Sequence, residues 1–299
     1  MDTLEDLNRK RVGAKDIKSV VRAMKAMAAS NITQYKLAVA SLGDYYYTVL
    51  LGIKAYLTAE KIQTVIEKTG IKISLDQAVC AIVFGSDLGL VGQFNDLMSN
   101  YVQKSLQAIA GKKEIWVIGE RIQELLADTG LNITKSYAVP GSIDAVTPLV
   151  QNILIDIEAT RENNHIQQFY VFHNQPKAVS GYEPVEQRLL PLDEKWMYEL
   201  RAIQWPTNII PEVIGPAVNA LRALIDEYLF VSVFKACAES LAAENTSRLE
   251  AMQRAEKSLG DMLISLGKKF QSLRQSRIDE ELFDVVSGFE ALKKKKHKQ

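Results

Sequence analysis

The chain has 299 residues, of which 47% are hydrophobic and 24% charged, so it holds enough apolar material for one large or two ordinary domains. Lysine plus arginine and aspartate plus glutamate balance at 36 each, which gives the whole chain no net charge that would attract nucleic acid. The sequence contains no run of about 18 uninterrupted apolar residues and no apolar core behind its charged first residues, so neither a membrane span nor a signal peptide is predicted.

Proline placement predicts long helices at both ends of the chain. All eight prolines lie between Pro140 and Pro216. In the first of these helices, apolar and small residues recur with the alternating three- and four-residue spacing of a coiled coil. The predicted seam positions are Ile17, Val20, Met24, Met27, Asn31, Gln34 and Ala38.

The middle of the chain alternates between strand and helix patterns. Strands are predicted over Ala78–Phe84, Glu114–Ile118, Ile133–Val139, Gln167–His173 and Glu186–Leu190. Helices are predicted over Asn95–Ile109, Glu120–Asp128 and Ile143–Glu158. Because strands alternate with helices, we expect an α/β fold with a mostly parallel, doubly wound sheet. Cys80 in the first strand and Cys237 in a helical stretch are expected as buried side chains in a reducing compartment.

The C-terminal segment predicts a helix too long for one globular domain to cover. A proline-free helix from Ala217 to Ser287 would be roughly 100 Å long. We therefore expect it to pair with the N-terminal helix as an antiparallel coiled coil. Its predicted seam is Leu249, Met252, Glu256, Leu259, Leu263, Leu266, Phe270, Leu273 and Arg277.

These patterns divide the chain into four parts. An N-terminal coiled-coil helix is predicted over residues 1–60, an α/β domain over 75–200, a C-terminal coiled-coil helix over 208–290 and a basic tail over 291–299. The tail contains the run Lys293–Lys298 and is predicted as a solvated end.

No catalytic chemistry is predicted. The turn Gly85–Gly92 stands where a nucleotide loop would, but its spacing is G-x-x-x-G-x-x-G, and no Gly-Lys-Ser/Thr follows. We therefore expect a tight strand-to-helix turn. His165, His173 and His297 lack metal-ligand spacing, and no Ser/His/Asp or Cys/His set stands out. Accordingly we predict no catalytic residue, no metal and no cofactor.

Four segments resemble the ATP synthase gamma family. Arg22–Ser30 is similar to K-A-M-x-M-V-A-A-S, and Ser86–Asn95 is similar to T/S-D-R-G-L-C-G-G-L-N. Glu239–Ala255 resembles E-x-L-A-S-E-x-x-x-R-x-x-A-M-x-x-A, and Arg274–Gly288 resembles R-Q-A-x-I-T-x-E-L with a following I-V-S-G. The four segments occur in the order and at the spacing of the family.

The resemblance implies a non-catalytic rotor shaft of an F-type ATP synthase, turning inside a ring of alpha and beta subunits and coupling ion flow to ATP synthesis or hydrolysis. It further implies contacts of the α/β domain with the epsilon subunit and the membrane ring of c subunits. Peripheral association with the cytoplasmic side of the cell inner membrane, and no cofactor or nucleic acid, follow from the same resemblance. The positions that match shaft-to-beta contacts are Arg22, Met24, Arg248, Arg274, Gln275 and Asp279.

The sequence also departs from the family pattern. Leu88 stands where arginine is usual, Val91 where cysteine is usual and Asp279 where threonine is common, and the basic tail extends past the usual end. These departures fit a divergent or alternative branch, such as the sodium-translocating type. Two other hypotheses stay open: a structural coiled-coil tether with an α/β domain and, less favoured, a nucleotide-dependent enzyme using Gly85–Gly92. The choice of proton or sodium and the main direction of catalysis do not follow from this chain.

Overall fold

The computed structural model describes residues 3–59, 78–109, 111–164, 166–177, 181–192, 194–207, 209 and 217–296. Two long helices, α1 (Leu4–Ala59) and α6 (Ala217–Lys296), flank an α/β segment in sequence. The strands of that segment are β1 (Val79–Phe84), β2 (Lys113–Ile118), β3 (Ile133–Tyr137), β4 (Gln168–Pro176) and β5 (Tyr182–Leu190). Its helices are α2 (Phe94–Ala108), α3 (Glu120–Ala127), α4 (Val146–Asn164, after a 3-10 turn at Ile143–Ala145) and α5 (Glu194–Ala202).

The five strands form one mixed sheet in the order β3-β2-β1-β4-β5. The first four are parallel, and β5 pairs antiparallel with β4. Each parallel pair requires a crossover, which α2, α3 and α4 provide. The predicted α/β fold with a mostly parallel sheet between long terminal helices is therefore confirmed.

Both faces of the sheet are buried, which explains why β1 is a continuous apolar run. Val79, Ala81 and Val83 face a cluster with residues of α2 and α3. The alternate residues of β1, among them Cys80, face a second cluster with α1, α4 and α6. Both cysteines are buried and free, as expected.

The contacts of the chain fall into two units, residues 1–27 with 250–299, and residues 28–249. In the smaller unit the guanidinium of Arg11 lies 5.0 Å from the ring centre of Phe270, and Arg22 pairs with Glu256. Residue numbers rise on α1 as they fall on α6, so the two helices run antiparallel there.

The larger unit shows the same direction of pairing. The amide of Asn31 donates to Asn245 at 3.4 Å, and the hydroxyl of Tyr45 donates to Glu227 at 2.6 Å. This unit also holds the whole sheet. Within each unit, then, the predicted antiparallel pairing of the terminal helices is present.

The predicted seam of α1 is confirmed only in part: Met24, Asn31 and Ala38 are half-buried, whereas Gln34 is exposed. Ile17, Val20 and Met27, which the spacing placed in the seam, are 56%, 59% and 65% exposed. Val20 and Met27 each lie one position before a buried residue, Val21 and Ala28, so this side of the seam is displaced by one residue. The buried residues instead recur every seven positions, at Leu7, Ala14, Val21, Ala28 and Tyr35.

The predicted seam of α6 is confirmed as far as Leu273. The positions from Leu249 to Leu273 are buried or half-buried, whereas Arg277 is exposed. Every residue over 274–288 is exposed. The helix continues to Lys296 and includes most of the basic run that was predicted as a solvated end; the side chains of that run, like His165 and His297, lie outside the described residues.

Helix α5 was missed in the sequence. It has buried or half-buried apolar residues at Trp196 and Leu200, followed by Ile203, a spacing that could have identified it. Among the described residues, none of the helices has the length and apolar content that crossing a bilayer requires. The predicted domain limits near residues 60, 75, 208 and 291 stay predictions.

Candidate functional site, the joint between the sheet and α6

In a doubly wound sheet, ligands bind outside the carboxyl ends of the strands, where neighbouring connections diverge. Here that place lies between β1 and β4, because β1 has β2 on one side and β4 on the other. The loop after β1 and the end of β4 occupy it, together with part of α6. We call these residues the joint: Gly85–Phe94, His173–Gln175 and Glu239–Arg248.

The loop after β1 is held by its own side chains. Ser86 is fully buried; its backbone N–H donates to Asn95 Oδ1 at 3.0 Å, and Asn95 Nδ2 donates to Ser86 Oγ at 2.8 Å. The Ser86 hydroxyl donates to the carbonyl of Leu88 at 2.9 Å. The serine and asparagine of the family-like segment therefore bond to each other.

Asp87 joins this loop to two other elements. One carboxylate oxygen accepts from the N–H of Glu120, the first residue of α3, at 3.0 Å, and the other from the N–H of Val139 at 3.0 Å. A carboxylate at the start of a helix satisfies an otherwise unpaired N–H and interacts favourably with the helix dipole. The N-cap residue of α3, Gly119, has no side chain that could make this hydrogen bond. Asp87 therefore caps α3 from another part of the chain.

Two glycines allow the close packing of this loop. A Cβ on Gly85 would lie 2.3 Å from the Cβ of Ile122. Gly119 has a φ of +117°, and a Cβ there would lie 2.8 Å from the carbonyl oxygen of Ser86. The glycines serve protein packing rather than a nucleotide, as their spacing indicates.

The loop docks directly on α6. Val91 and Phe94 are buried and cluster with Ala243, which is fully buried. The hydroxyl of Ser247 donates to the carbonyl oxygen of Val91, and it lies 3.1 Å from the hydroxyl of Tyr182. Two family-like segments separated by about 155 residues in the sequence are therefore in contact.

A buried polar pair joins β4 to α6. His173 Nε2 lies 2.8 Å from Glu239 Oε2, and both residues are at most 6% exposed. Gln175 donates to the other carboxylate oxygen at 3.4 Å, and the ammonium of Lys235 lies 3.9 Å from it. The amide of Asn174 donates to the carbonyl of Phe94 at 3.2 Å, so β4 also holds the first residue of α2.

Glu244 and Arg248 form a second buried pair on α6, with Arg248 Nη2 2.6 Å from Glu244 Oε1. Burial raises the pKa of Glu244 above its ordinary value, although Arg248 opposes the shift. Asn245 is also buried and accepts the hydrogen bond from Asn31 of α1. Both long helices and the sheet are thus linked through ten residues of α6.

The chain matches the family described as ATP synthase over residues 3–292. It is 26% identical to the ATP synthase gamma chain of Syntrophus aciditrophicus, with 98% of this chain and 100% of that one covered. It is 23% identical to that of Bdellovibrio bacteriovorus, with the same coverage. The chain belongs to the ATP synthase gamma family. As a member of this non-catalytic central-stalk family it is a shaft subunit and not an enzyme, as the resemblance implied.

Solved structures of gamma-type rotors share the fold. The rotor of Euglena gracilis mitochondrial ATP synthase in rotational state 1 has a TM-score of 0.66 at 13% identity, covering 92% of this chain and 98% of that one. The central stalk with c-ring of Tetrahymena thermophila mitochondrial ATP synthase has a TM-score of 0.55 at 18% identity, covering 79% and 99%. At these identities the likeness shows the fold alone.

Two of the predicted gamma-family contact positions, Arg22 and Arg248, already have partners within the chain. Arg22 and Lys25 both bond Glu256, at 2.7 and 2.6 Å. These hydrogen bonds, from Lys25 first and Arg22 second, lower the pKa of Glu256 to about 2. Arg248 pairs with Glu244, and its side chain is 15% exposed.

The other predicted contact positions divide into two groups. Met24 on α1 is half-buried. Arg274, Gln275 and Asp279 are exposed. They lie in the stretch 274–288 of α6, in which every residue is exposed. Contacts of all six positions with beta subunits remain predictions. Among the described residues, no group of three histidine, cysteine, aspartate or glutamate side chains is arranged to hold a metal ion.

Proposed function

We propose that the chain is the rotating shaft of an F-type ATP synthase and couples ion flow through a membrane ring to ATP synthesis or hydrolysis in an alpha and beta ring. The observation that supports this most directly is the burial along one helix. Every residue of α6 over 236–245 is buried, whereas every residue over 274–288 is exposed. We call residues 236–245 the anchored segment and residues 274–288 the bare segment. Both belong to one continuous helix.

The anchored segment suits the transmission of torque. The joint combines apolar packing around Ala243 with the buried polar pair His173–Glu239, which joins β4 to α6. Breaking one partner of a buried pair leaves the other unsatisfied, which makes slippage between sheet and helix costly. A rotor needs such a stiff connection because a flexible one would absorb the rotation.

The bare segment suits a turning contact with a surrounding ring. Arg11, Lys15 and Arg274 line a groove of about 460 Å³ whose described lining contains no carboxylate. A cationic groove favours acidic loops, and charge pairs at exposed positions are weak enough to be exchanged at each step. We assign this groove, with Gln275 and Asp279, to successive contacts with beta subunits that bias their binding, synthesis and release states.

We further propose that the α/β domain contacts an epsilon subunit and a ring of c subunits, and that the complex lies at the cytoplasmic side of the cell inner membrane. Among these partners, the c ring is supported by a Euglena gracilis structure described as OSCP, F1 and c-ring, whose match to this chain has a TM-score of 0.65 at 14% identity. The coupled ion, proton or sodium, is a property of other subunits.

Recovery of the tagged full-length chain from gently solubilised membranes tests this proposal. We expect alpha, beta, epsilon and c subunits in the eluate together with ATPase activity. A chain recovered alone or only with itself, and without ATPase activity, would support the structural tether instead.

A sharper test uses the double variant Arg274→Ala/Gln275→Ala with Lys257→Ala, another exposed position of α6, as the matched control. We expect the double variant to lower the ratio of ATP-driven ion pumping to ATP hydrolysis, with complex assembly unchanged. Lys257→Ala should leave that ratio at the wild-type value. If the wild-type, double-variant and Lys257→Ala complexes all gave the same ratio, the proposed contact of the bare segment with the ring would be wrong.

A further inference from the structure

A cavity of about 470 Å³ lies in the larger unit, between the shaft helices and the edge of the sheet. Tyr46 of α1, Tyr228 of α6 and Trp196 of α5 form its aromatic walls, and β5 contributes Glu186 and neighbouring residues. Four elements from distant parts of the sequence therefore meet around one space. Neither the sheet core nor the joint described above uses it.

The aromatic walls form a continuous surface. The ring centres of Tyr46 and Tyr228 are 5.9 Å apart, and those of Trp196 and Tyr228 are 5.3 Å apart with the planes at 67°. Tyr228 is 1% exposed and lies behind Tyr46 and Trp196, which are half-buried, so the rings of those two residues are the ones open to the cavity. Aromatic faces of this kind attract cations when water is excluded.

The chain itself places cations over two rings of the lining. The ammonium of Lys235 lies 5.7 Å from the ring centre of Tyr46, and the guanidinium of Arg188 lies 5.2 Å from that of Tyr170. Lys235 is also near the carboxylate of Glu239, and Arg188 donates to the Tyr170 hydroxyl at 2.9 Å. The cations of the lining are therefore already engaged.

The carboxylates of the lining are not engaged in this way. Glu186 and Glu199 are exposed and, within the described part of the chain, neither has a hydrogen-bond or ion-pair partner. Two unpaired carboxylates beside aromatic walls offer charge, hydrogen-bond acceptors and ring faces to one guest. An anion would gain nothing from either group.

We propose that this cavity binds a small organic cation, an ammonium or guanidinium ion that carries a short apolar body. The charged head bonds Glu186 and Glu199, and the body lies against Trp196 and Tyr46. Because the cavity is shared by α1, α5, α6 and β5, a bound cation links the shaft helices to the edge of the sheet. Occupancy therefore stabilises the larger unit by mass action.

Calorimetric titration of the purified full-length chain with butylguanidinium chloride tests the site. Butylurea is the neutral comparator, because it has nearly the same shape and lacks the charge. Because both carboxylates are exposed, we expect Glu199→Gln and Glu186→Gln each to weaken binding by roughly two- to fivefold, as for other solvent-exposed charge pairs. Glu162→Gln, an exposed carboxylate on α4 outside the lining, is the matched control.

The supporting result is one-to-one binding of butylguanidinium, little binding of butylurea, and loss of affinity in Glu186→Gln and Glu199→Gln but not in Glu162→Gln. Circular dichroism of each variant verifies folding, and both carboxylates are exposed, so folding should persist. Three results would each overturn the proposal: no binding by the wild-type chain, equal binding of butylurea, or equal affinity in all the variants. None of them bears on the shaft function.

Discussion

His173 of β4 and Glu239 of α6 lie 2.8 Å apart, Nε2 to Oε2, with both side chains almost completely buried. They are 66 residues apart in the sequence and belong to the sheet and to the long helix, respectively. The pair is therefore a direct polar link between the α/β domain and the shaft.

Removing either member of this pair should destabilise the larger unit. Glu239→Ala leaves a buried imidazole nitrogen unpaired, and His173→Ala leaves a buried carboxylate oxygen unpaired, at a cost of about 1–3 kcal/mol each. In urea unfolding, the double variant should lose less free energy of unfolding than the sum of the losses in the two single variants. Additive losses would mean that the two side chains do not interact. Combining His173→Ala with the remote Glu162→Gln supplies a reference pair whose losses should add.

Gly119 should tolerate alanine poorly. Its φ of +117° is unfavourable for a residue with a Cβ, and the new Cβ would contact the backbone of Ser86 at 2.8–2.9 Å. Strain contributes about 1–3 kcal/mol, and overpacking adds a similar amount. Gly130→Ala is a matched control, because Gly130 has a φ of +75° but no atom within 4 Å of its Cβ position. Thermal unfolding should therefore show a larger loss for Gly119→Ala than for Gly130→Ala; equal losses would assign the whole effect to φ.

The sequence predicted the sheet and the seam of α6 well because both depend on local apolar patterns. The continuous apolar run of β1 and the three- and four-residue spacing up to Leu273 are visible within a few turns of chain. Part of the α1 seam was displaced by one residue, because Ala28 carries too little apolar signal to compete with the neighbouring Met27. Local spacing alone could not determine which face of α1 packs against α6.

The joint could be predicted only in part. The loop over Gly85–Gly92 forms the tight strand-to-helix turn that was predicted. Its contact with Ser247 and the pairing of His173 with Glu239 bring together residues 156 and 66 positions apart, and no local pattern encodes such a contact. His173, which lacks metal-ligand spacing in the sequence, is hydrogen-bonded and buried.

Acid should weaken the helix pair of the smaller unit through Glu256. Its pKa is lowered from an ordinary 4.5 to about 2 by hydrogen bonds from Lys25 and Arg22. A depressed folded-state pKa stabilises the folded state above pH 4.5, and this contribution is lost as the pH falls towards 2. Glu256→Gln should therefore be less stable than wild type at pH 7, and the difference should shrink between about pH 4.5 and 2.

Thermal melts followed by circular dichroism at several pH values measure this difference. Glu250→Gln is the control, because among the described residues the ion-pair partner of Glu250 is Arg254, at 4.0 Å and with side-chain exposures of 43% and 67%. Arg22 is 63% exposed, so added salt should reduce the effect of Glu256→Gln. A difference that stays constant across the whole pH range would show that the carboxylate charge does not matter.

Arg248 and Arg274 both match family contact positions, yet replacing them should have different consequences. Arg248→Ala leaves the buried Glu244 without its charged partner and should lower the free energy of unfolding by about 1–3 kcal/mol. Arg274 is exposed, so Arg274→Ala should change stability by less than about 0.5 kcal/mol. Urea unfolding of the full-length variants separates the two. If Arg248→Ala unfolds like wild type while altering the coupling of ATP hydrolysis to ion pumping, its role lies in contacts with the ring rather than in the pair with Glu244.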